Sequence, residues 1–134
     1  MKHGAEMHRD MRTPLARVRG FGSARSGTEH FWHERLTAVA LIPLTIAVIL
    51  ILLSLLGRNH AAVVQILGSP IIAIVMLLFI LSTAYHMKLG MQVIIEDYVH
   101  DDPWKFTLLI GNSFFCFVIG LASAYAILKL SFGV

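Results

Sequence analysis

Residues 71–87 read IIAIVMLLFILSTAYHM and contain no Asp, Glu, Lys or Arg. With the apolar residues around it, this stretch is long enough to cross about 30 Å of hydrocarbon as a helix. It nevertheless carries His86 near its end. An ionisable side chain inside a membrane span is costly, and it is by default a candidate for function. The stretch therefore predicts a transmembrane helix with a functional histidine.

Two further apolar segments flank this one and give the chain its fold class. Of the 134 residues, 57% are hydrophobic and only 14% are charged, against about 25% charged in soluble domains. We predict an all-α membrane protein with three transmembrane helices, forming part of a heteromeric helix bundle. Residues 1–29 form a basic N-terminal tail, and residues 30–134 form the membrane domain. Its spans are expected at about 36–56, 70–99 and 104–130.

The distribution of basic residues predicts the topology. Lysine and arginine are enriched in cytoplasmic segments, and the connection after the first span offers only Arg58. The N-terminus is therefore expected in the cytoplasm, the loop after Tyr98 also in the cytoplasm, and the C-terminus outside. Six of the eleven basic residues precede the first span, namely Lys2, Arg9, Arg12, Arg17, Arg19 and Arg25.

The same features exclude several classes of protein. The basic residues cluster beside a membrane span and no basic stripe interleaved with aromatics follows, so nucleic-acid binding is not expected. The single cysteine, Cys116, excludes an internal disulfide and any cysteine-based metal or iron–sulfur site in this chain.

His86 and Asp97 are expected to lie on one face of the second span. Eleven residues at 100° each return to within about 20° of the starting direction, and they cover roughly 16 Å along the axis. A neutral imidazole at His86 would either hydrogen-bond to a neighbouring helix or ligate a haem axially. With one such histidine in the chain, a second haem ligand would come from another chain.

Three positions near His86 carry alternatives. Gly90, one turn on, lets either a porphyrin or another helix approach the backbone. Asp97 and Tyr98 are either a solvated helix end with an interfacial tyrosine or part of a quinone pocket. In such a pocket the phenol donates a hydrogen bond and the carboxylate helps to deliver protons.

Arg35, at the mouth of the first span, either snorkels to lipid phosphates or pairs with a haem propionate. Lys88 lies about 200° around the helix from His86 and is expected to snorkel rather than to ligate anything.

The remaining polar residues favour structural roles. His30 and His33 have a spacing that could hold a metal ion, but no further ligands recur with them, so surface histidines are favoured. Asn112 and Ser113 in the third span are expected to form hydrogen bonds between helices. Cys116 is expected to be a small packing residue.

Two segments carry a resemblance to a known family. Residues 86–99, HMKLGMQVIIEDYV, resemble the H-x-x-x-G-x-x-x-x-x-x-D-Y signature of the small hydrophobic membrane anchor of succinate dehydrogenase, respiratory complex II. Residues 26–38, SGTEHFWHERLTA, are similar to that family's entry into its first helix. The resemblance extends from about Met11 onward and agrees with three spans and a cytoplasmic N-terminus.

The resemblance implies specific roles for these residues. His86 would be one axial ligand of a haem b, and a cytochrome b anchor subunit would supply the other. Arg35 falls near the haem propionates, Gly90 permits a close approach, Tyr98 would hydrogen-bond to ubiquinone, and Asp97 would lie beside that pocket.

The resemblance also implies the partners and the membrane. FAD would lie in a flavoprotein subunit, and the iron–sulfur clusters would lie in an iron–sulfur subunit. This chain would therefore hold no catalytic residue for succinate oxidation. The flavoprotein is reached through the iron–sulfur subunit. The location implied is the bacterial cytoplasmic (inner) membrane, with a periplasmic C-terminus, or the mitochondrial inner membrane if the protein is organellar.

Two alternative functions remain open from the sequence. One is a haem-free structural subunit needed only for assembly. The other is a small ion or proton channel subunit that uses His86 and Asp97 as a relay. A channel face should stay polar through the span, yet the direction of His86 next meets Phe79 and Val75. The channel is therefore ranked below the redox function.

Overall fold

The computed structural model describes residues 13–15 and 25–133, and over the second range every regular element is a helix. The all-α prediction is confirmed. Three of the helices are long and apolar enough to cross a membrane. In chain order the helices are α1 (Arg25–Leu55), α2 (His60–Leu67), α3 (Pro70–Tyr98) and α4 (Asp102–Phe132).

Helix α1 begins before the apolar segment that predicted it. It starts at Arg25, so residues 25–35 extend the membrane helix by about three turns before the span predicted at 36–56. Pro43 lies inside the helix without ending it, as membrane helices allow when neighbouring groups satisfy the freed carbonyl. Most of the basic tail that predicted the topology lies outside the described residues.

The connection between the first two spans contains a short helix that the sequence analysis did not predict. Gly57 turns the chain with a φ of 73°, a left-handed conformation that favours glycine. Asn59 then caps α2, because its side-chain oxygen accepts a hydrogen bond of 2.9 Å from the Ala62 N–H. The eight residues of α2 therefore return the chain to the membrane domain as a helix.

Gly68, at the C-terminal end of α2, allows close contact with the end of α4. A methyl group added there would lie 2.8 Å from the carbonyl oxygen of Leu130 and 2.9 Å from that of Val64. Both distances are too short for carbon against backbone oxygen, so a side chain at this position would force the two elements apart.

Helix α3 is the central helix of the bundle. It packs against both α1 and α4, and its residues Ala73, Leu89 and Ile95 are buried. It begins with Pro70 in the first turn, where proline lacks only an N–H that would have no partner. Because α3 continues without interruption to Tyr98, His86, Gly90 and the Asp97–Tyr98 pair lie on one continuous helix.

The contact between α3 and α4 is close because of a glycine. A methyl group added at Gly120 would lie 3.2 Å from Cβ of Ala84, and Cys116, one turn earlier, is only 3% exposed. Cys116 is therefore a packing residue, as predicted. At the start of α4, Asp101 occupies the N-cap position without a side-chain hydrogen bond to the helix.

Most large apolar side chains point outward from the bundle. Among the described residues, only six hydrophobic side chains are buried, whereas residues such as Ile46, Phe114 and Phe117 are more than half exposed. A water-soluble chain would not expose such faces on every helix. The apolar exterior fits a bundle covered by lipid and by other membrane chains. The buried set is Val48, Ala73, Leu89, Ile95, Cys116 and Ile127.

Candidate functional site

His86 makes one hydrogen bond to the first helix. Its Nδ1 lies 3.0 Å from Oγ1 of Thr37, and both side chains are half-buried between α1 and α3. The other ring nitrogen, Nε2, has no hydrogen-bond partner in the part of the chain that the structure describes. The sequence left two alternatives for His86, namely a hydrogen bond to a neighbouring helix or ligation of a haem. The geometry allows both at once, because each uses a different nitrogen.

A second polar contact joins the same two helices beside the first. The Tyr85 hydroxyl lies 3.0 Å from Nδ1 of His33, with the two ring centroids 6.0 Å apart. His33 and Thr37 are one turn apart on α1, and Tyr85 and His86 are adjacent on α3. Two polar contacts at one level therefore fix the register of α1 against α3.

His33 is exposed, as predicted, but it is hydrogen-bonded across helices rather than free at the surface. His30 is half-buried, and its Nε2 has no hydrogen-bond partner among residues 13–15 and 25–133. Within those same ranges, no group of three or more His, Cys, Asp or Glu side chains is placed to hold a metal ion.

Gly90 lies beside open space. A methyl group added at this half-buried position would meet no other atom within 4 Å, in contrast to the same change at Gly120. Gly90 is therefore not needed for the packing of helices within this chain. The alternative that it admits another helix of the same chain is not supported, and the space next to it is available to a group from outside.

Asp97 and Tyr98 close the same helix at its C-terminal end. Because α3 is continuous between His86 and Asp97, the predicted spacing of about 16 Å along one face applies. Both side chains are exposed, Tyr98 by 78%. The neighbouring Glu96 accepts a hydrogen bond of 2.9 Å from Gln92, whereas the Asp97 carboxylate and the Tyr98 phenol have no hydrogen-bond partner among the described residues.

The Arg35 side chain is not directed toward His86 within the described chain. Its guanidinium carbon lies 5.1 Å from the centre of the Phe31 ring, one turn earlier on α1, in a cation–π contact. It is two residues from Thr37, and therefore about 200° around the helix from the His86 contact. The side chain is exposed and is free to meet a group that approaches α1 from outside.

Lys88 lies on the opposite side of α3 from His86, as the helical spacing predicts. It lines a groove of about 540 Å³ between α3 and α4. Nδ2 of Asn112 on α4 donates a hydrogen bond of 3.0 Å to the Lys88 carbonyl, and Cys116 donates to Oδ1 of Asn112 at 3.5 Å. Asn112 is thus an interhelical hydrogen-bond partner, as predicted, and His86 does not line this groove.

Three long apolar helices with polar groups only at defined positions identify a multi-pass membrane protein. The family described as succinate dehydrogenase/fumarate reductase transmembrane subunit matches residues 9–120. The chain belongs to this family. The resemblance seen in the sequence is confirmed, and with it the role of a membrane anchor subunit of succinate dehydrogenase.

Known relatives agree with this assignment, two of them over nearly their whole length. The chain is 30% identical to the succinate dehydrogenase hydrophobic membrane anchor subunit of Rickettsia bellii (strain RML369-C), covering 88% of this chain and 94% of the relative. It is 29% identical to that of Paracoccus denitrificans, covering 90% and 93%. The succinate dehydrogenase membrane anchor subunit of Reclinomonas americana is 28% identical, over 63% and 73%. No solved structure matches the chain.

Proposed function

We propose that this anchor subunit supplies His86 as one axial ligand of a haem b and contributes Tyr98 and Asp97 to a ubiquinone-reduction site. A partner cytochrome b anchor chain supplies the second haem ligand, and the iron–sulfur subunit completes the quinone site. The observation that carries the proposal is the His86 ring, held through Nδ1 while Nε2 has no partner in the described chain. The spectrum of a His86→Ala complex tests it.

The residues present fit a haem shared between two chains. A neutral imidazole nitrogen ligates haem iron without placing a charge in hydrocarbon, and the open space at Gly90 leaves room beside the ligand. One histidine provides one of two axial positions, in keeping with a site between subunits. A haem held there would supply a one-electron carrier, and His86 lies about three helical turns from the end of α3.

The exposed end of α3 supports a quinone site completed by other chains. Reduction of a quinone places negative charge on its oxygens, and a positioned phenol stabilises that charge by donating a hydrogen bond. The Tyr98 hydroxyl is available as this donor, because it has no hydrogen-bond partner among the described residues. The adjacent Asp97 carboxylate can relay protons to the reduced quinone oxygens. A tyrosine exposed by 78% in the isolated chain leaves room for a pocket whose other walls come from partners.

The proposed orientation brings this end of α3 to the electron source. The N-terminus lies in the cytoplasm by the positive-inside rule, so three spans put the α3–α4 loop on the same side. In this arrangement the iron–sulfur subunit docks against the cytoplasmic ends of the helices and carries electrons from FAD in the flavoprotein. The lipid bilayer covers the remaining apolar faces.

Gly90 provides a test of the haem face that does not depend on ligation. Gly90→Leu should lower the haem content of the purified complex, because its side chain fills the space beside His86. The packing of this chain should be retained, since an added Cβ meets no other atom of it within 4 Å. Gly111→Leu is the matched control, being a span glycine with equally open surroundings on α4. Equal haem content in both variants would contradict a haem at Gly90.

Arg35 is proposed to pair with a haem propionate from the outer side of α1. Arg35→Leu should then lower the haem midpoint potential, because a nearby positive charge favours the reduced, more negative state. Arg35→Lys keeps the charge and should stay closer to the wild-type value. Redox titration of the three complexes measures the effect. An unchanged haem midpoint potential in Arg35→Leu would contradict the pairing with a propionate. It would favour an arginine that contacts only Phe31 and lipid phosphates.

A further inference from the structure

We propose that Thr37 is a positioning residue for His86: it fixes the ring in the tautomer that carries hydrogen on Nδ1 and presents the lone pair of Nε2 to the metal. This inference rests on the proposed haem ligation. It concerns a residue that does not itself touch the cofactor and that the sequence analysis did not single out.

The direction of the hydrogen bond follows from the fact that the Thr37 hydroxyl has only one proton to donate. Its Oγ1 lies 2.8 Å from the carbonyl oxygen of His33 and 3.0 Å from that of Glu34. A carbonyl oxygen can only accept, and a threonine hydroxyl has one proton. That proton is therefore given back to the preceding turn of the helix, as threonine commonly does. The hydroxyl oxygen keeps its lone pairs for the third neighbour, Nδ1 of His86, at 3.0 Å.

The tautomer of His86 then follows. If Thr37 accepts, Nδ1 must be the donor and carries the hydrogen. In a neutral imidazole the other nitrogen, Nε2, then holds the free lone pair. That nitrogen has no hydrogen-bond partner in the described chain. The opposite tautomer would put a hydrogen on Nε2 and block ligation, and it would leave the Thr37 hydroxyl without enough protons for its contacts.

The surroundings hold this geometry in place. Threonine is branched at Cβ, and its bond to the carbonyl one turn earlier fixes χ1. The neighbouring contact between Tyr85 and His33 holds the same turns of α1 and α3 together. In a metal-binding histidine, a hydrogen-bond acceptor at the ring nitrogen that does not bind the metal sets the ring orientation and makes the ligand more basic. Thr37 therefore has both the position and the chemistry for this role.

The test compares three variants in the purified four-subunit complex. Thr37→Val keeps the shape and removes the acceptor, whereas Thr37→Ser keeps the hydroxyl. Thr45→Val is the matched control, because Thr45 lies on the exposed side of the same helix. Two quantities are measured: the haem midpoint potential, and the rate of haem transfer to excess apomyoglobin.

We expect Thr37→Val to raise the midpoint potential, because a less basic imidazole stabilises the oxidised, more positive iron less well. Haem transfer should become about 10- to 100-fold faster, the usual cost of losing such a partner. Thr37→Ser and Thr45→Val should resemble the wild type. Wild-type behaviour of Thr37→Val, or a serine variant that behaves like valine, would overturn the inference.

Three further outcomes are also decisive. If Thr37→Val does not assemble, Thr37→Ala takes its place with the same expected shifts, and failure of both would count against a role confined to the haem ligand. If His86→Ala keeps its haem, the proposed ligation fails and this inference with it. If His86→Ala loses the haem while Thr37→Val resembles the wild type, only the role of Thr37 fails.

Discussion

Replacing His86 with alanine should abolish or strongly perturb the b-type absorption spectrum of the purified complex. The imidazole is the only proposed haem ligand in this chain, so the substitution would remove the one group of this chain that would hold the haem iron. Assembly should be less affected, since Nδ1 makes a single hydrogen bond to Thr37. Reduced-minus-oxidised difference spectra of wild type and variant measure the effect.

Some quinone reduction should persist in His86→Ala, because in the proposed arrangement electrons would pass from the nearest iron–sulfur cluster to the quinone without the haem. A matched control is His60→Ala, which removes an exposed histidine at the start of α2 and should leave the spectrum intact. A His86→Ala complex with an unchanged difference spectrum would contradict the assignment of the ligand.

Tyr98→Phe should lower ubiquinone reductase activity while sparing assembly and haem content. The substitution keeps the ring and removes only the hydroxyl, which makes no hydrogen bond to the described part of this chain and is highly exposed. Loss of one hydrogen bond to a developing oxyanion should slow reduction by about 10- to 1,000-fold, the upper end being the effect of deleting a single oxyanion-hole donor.

Two assays separate the quinone site from the rest of the complex. Succinate oxidation with an artificial acceptor that takes electrons upstream should stay near the wild-type rate in Tyr98→Phe. Tyr125→Phe, at an exposed tyrosine in the middle of α4's C-terminal half, is the matched control and should be normal in both assays. An equal loss in the two assays, or no loss in either, would contradict a role of Tyr98 in quinone reduction.

The three long helices could be predicted because each contains an apolar run of membrane length, and the all-α fold follows from that. The common face of His86 and Asp97 could also be predicted, because it depends only on helical periodicity within one unbroken element. Helix α2 was missed because eight residues give too short a pattern to distinguish a helix from a loop. Asn59 before His60-Ala61-Ala62 was the available signal, as an N-cap residue ahead of good helix formers.

The partners of His86 could not be predicted, because they depend on how α1 and α3 are rotated and aligned against each other. The sequence does place His33 and Thr37 one turn apart on α1, but it does not say which residue of α3 they face. The two glycines make the same point. Gly90 and Gly120 look alike in the sequence, yet only Gly120 lies at a helix contact, against Ala84.

The most direct test of the account is the haem content of the intact wild-type complex. The complex is purified in mild detergent, its reduced-minus-oxidised spectrum is recorded, and haem and FAD are quantified on the same sample. Ligation by His86 and by a second ligand from the partner anchor predicts a six-coordinate b-type spectrum with one haem per FAD. A complex that reduces ubiquinone with succinate at full rate and contains no haem would contradict the account and leave this chain a haem-free structural subunit.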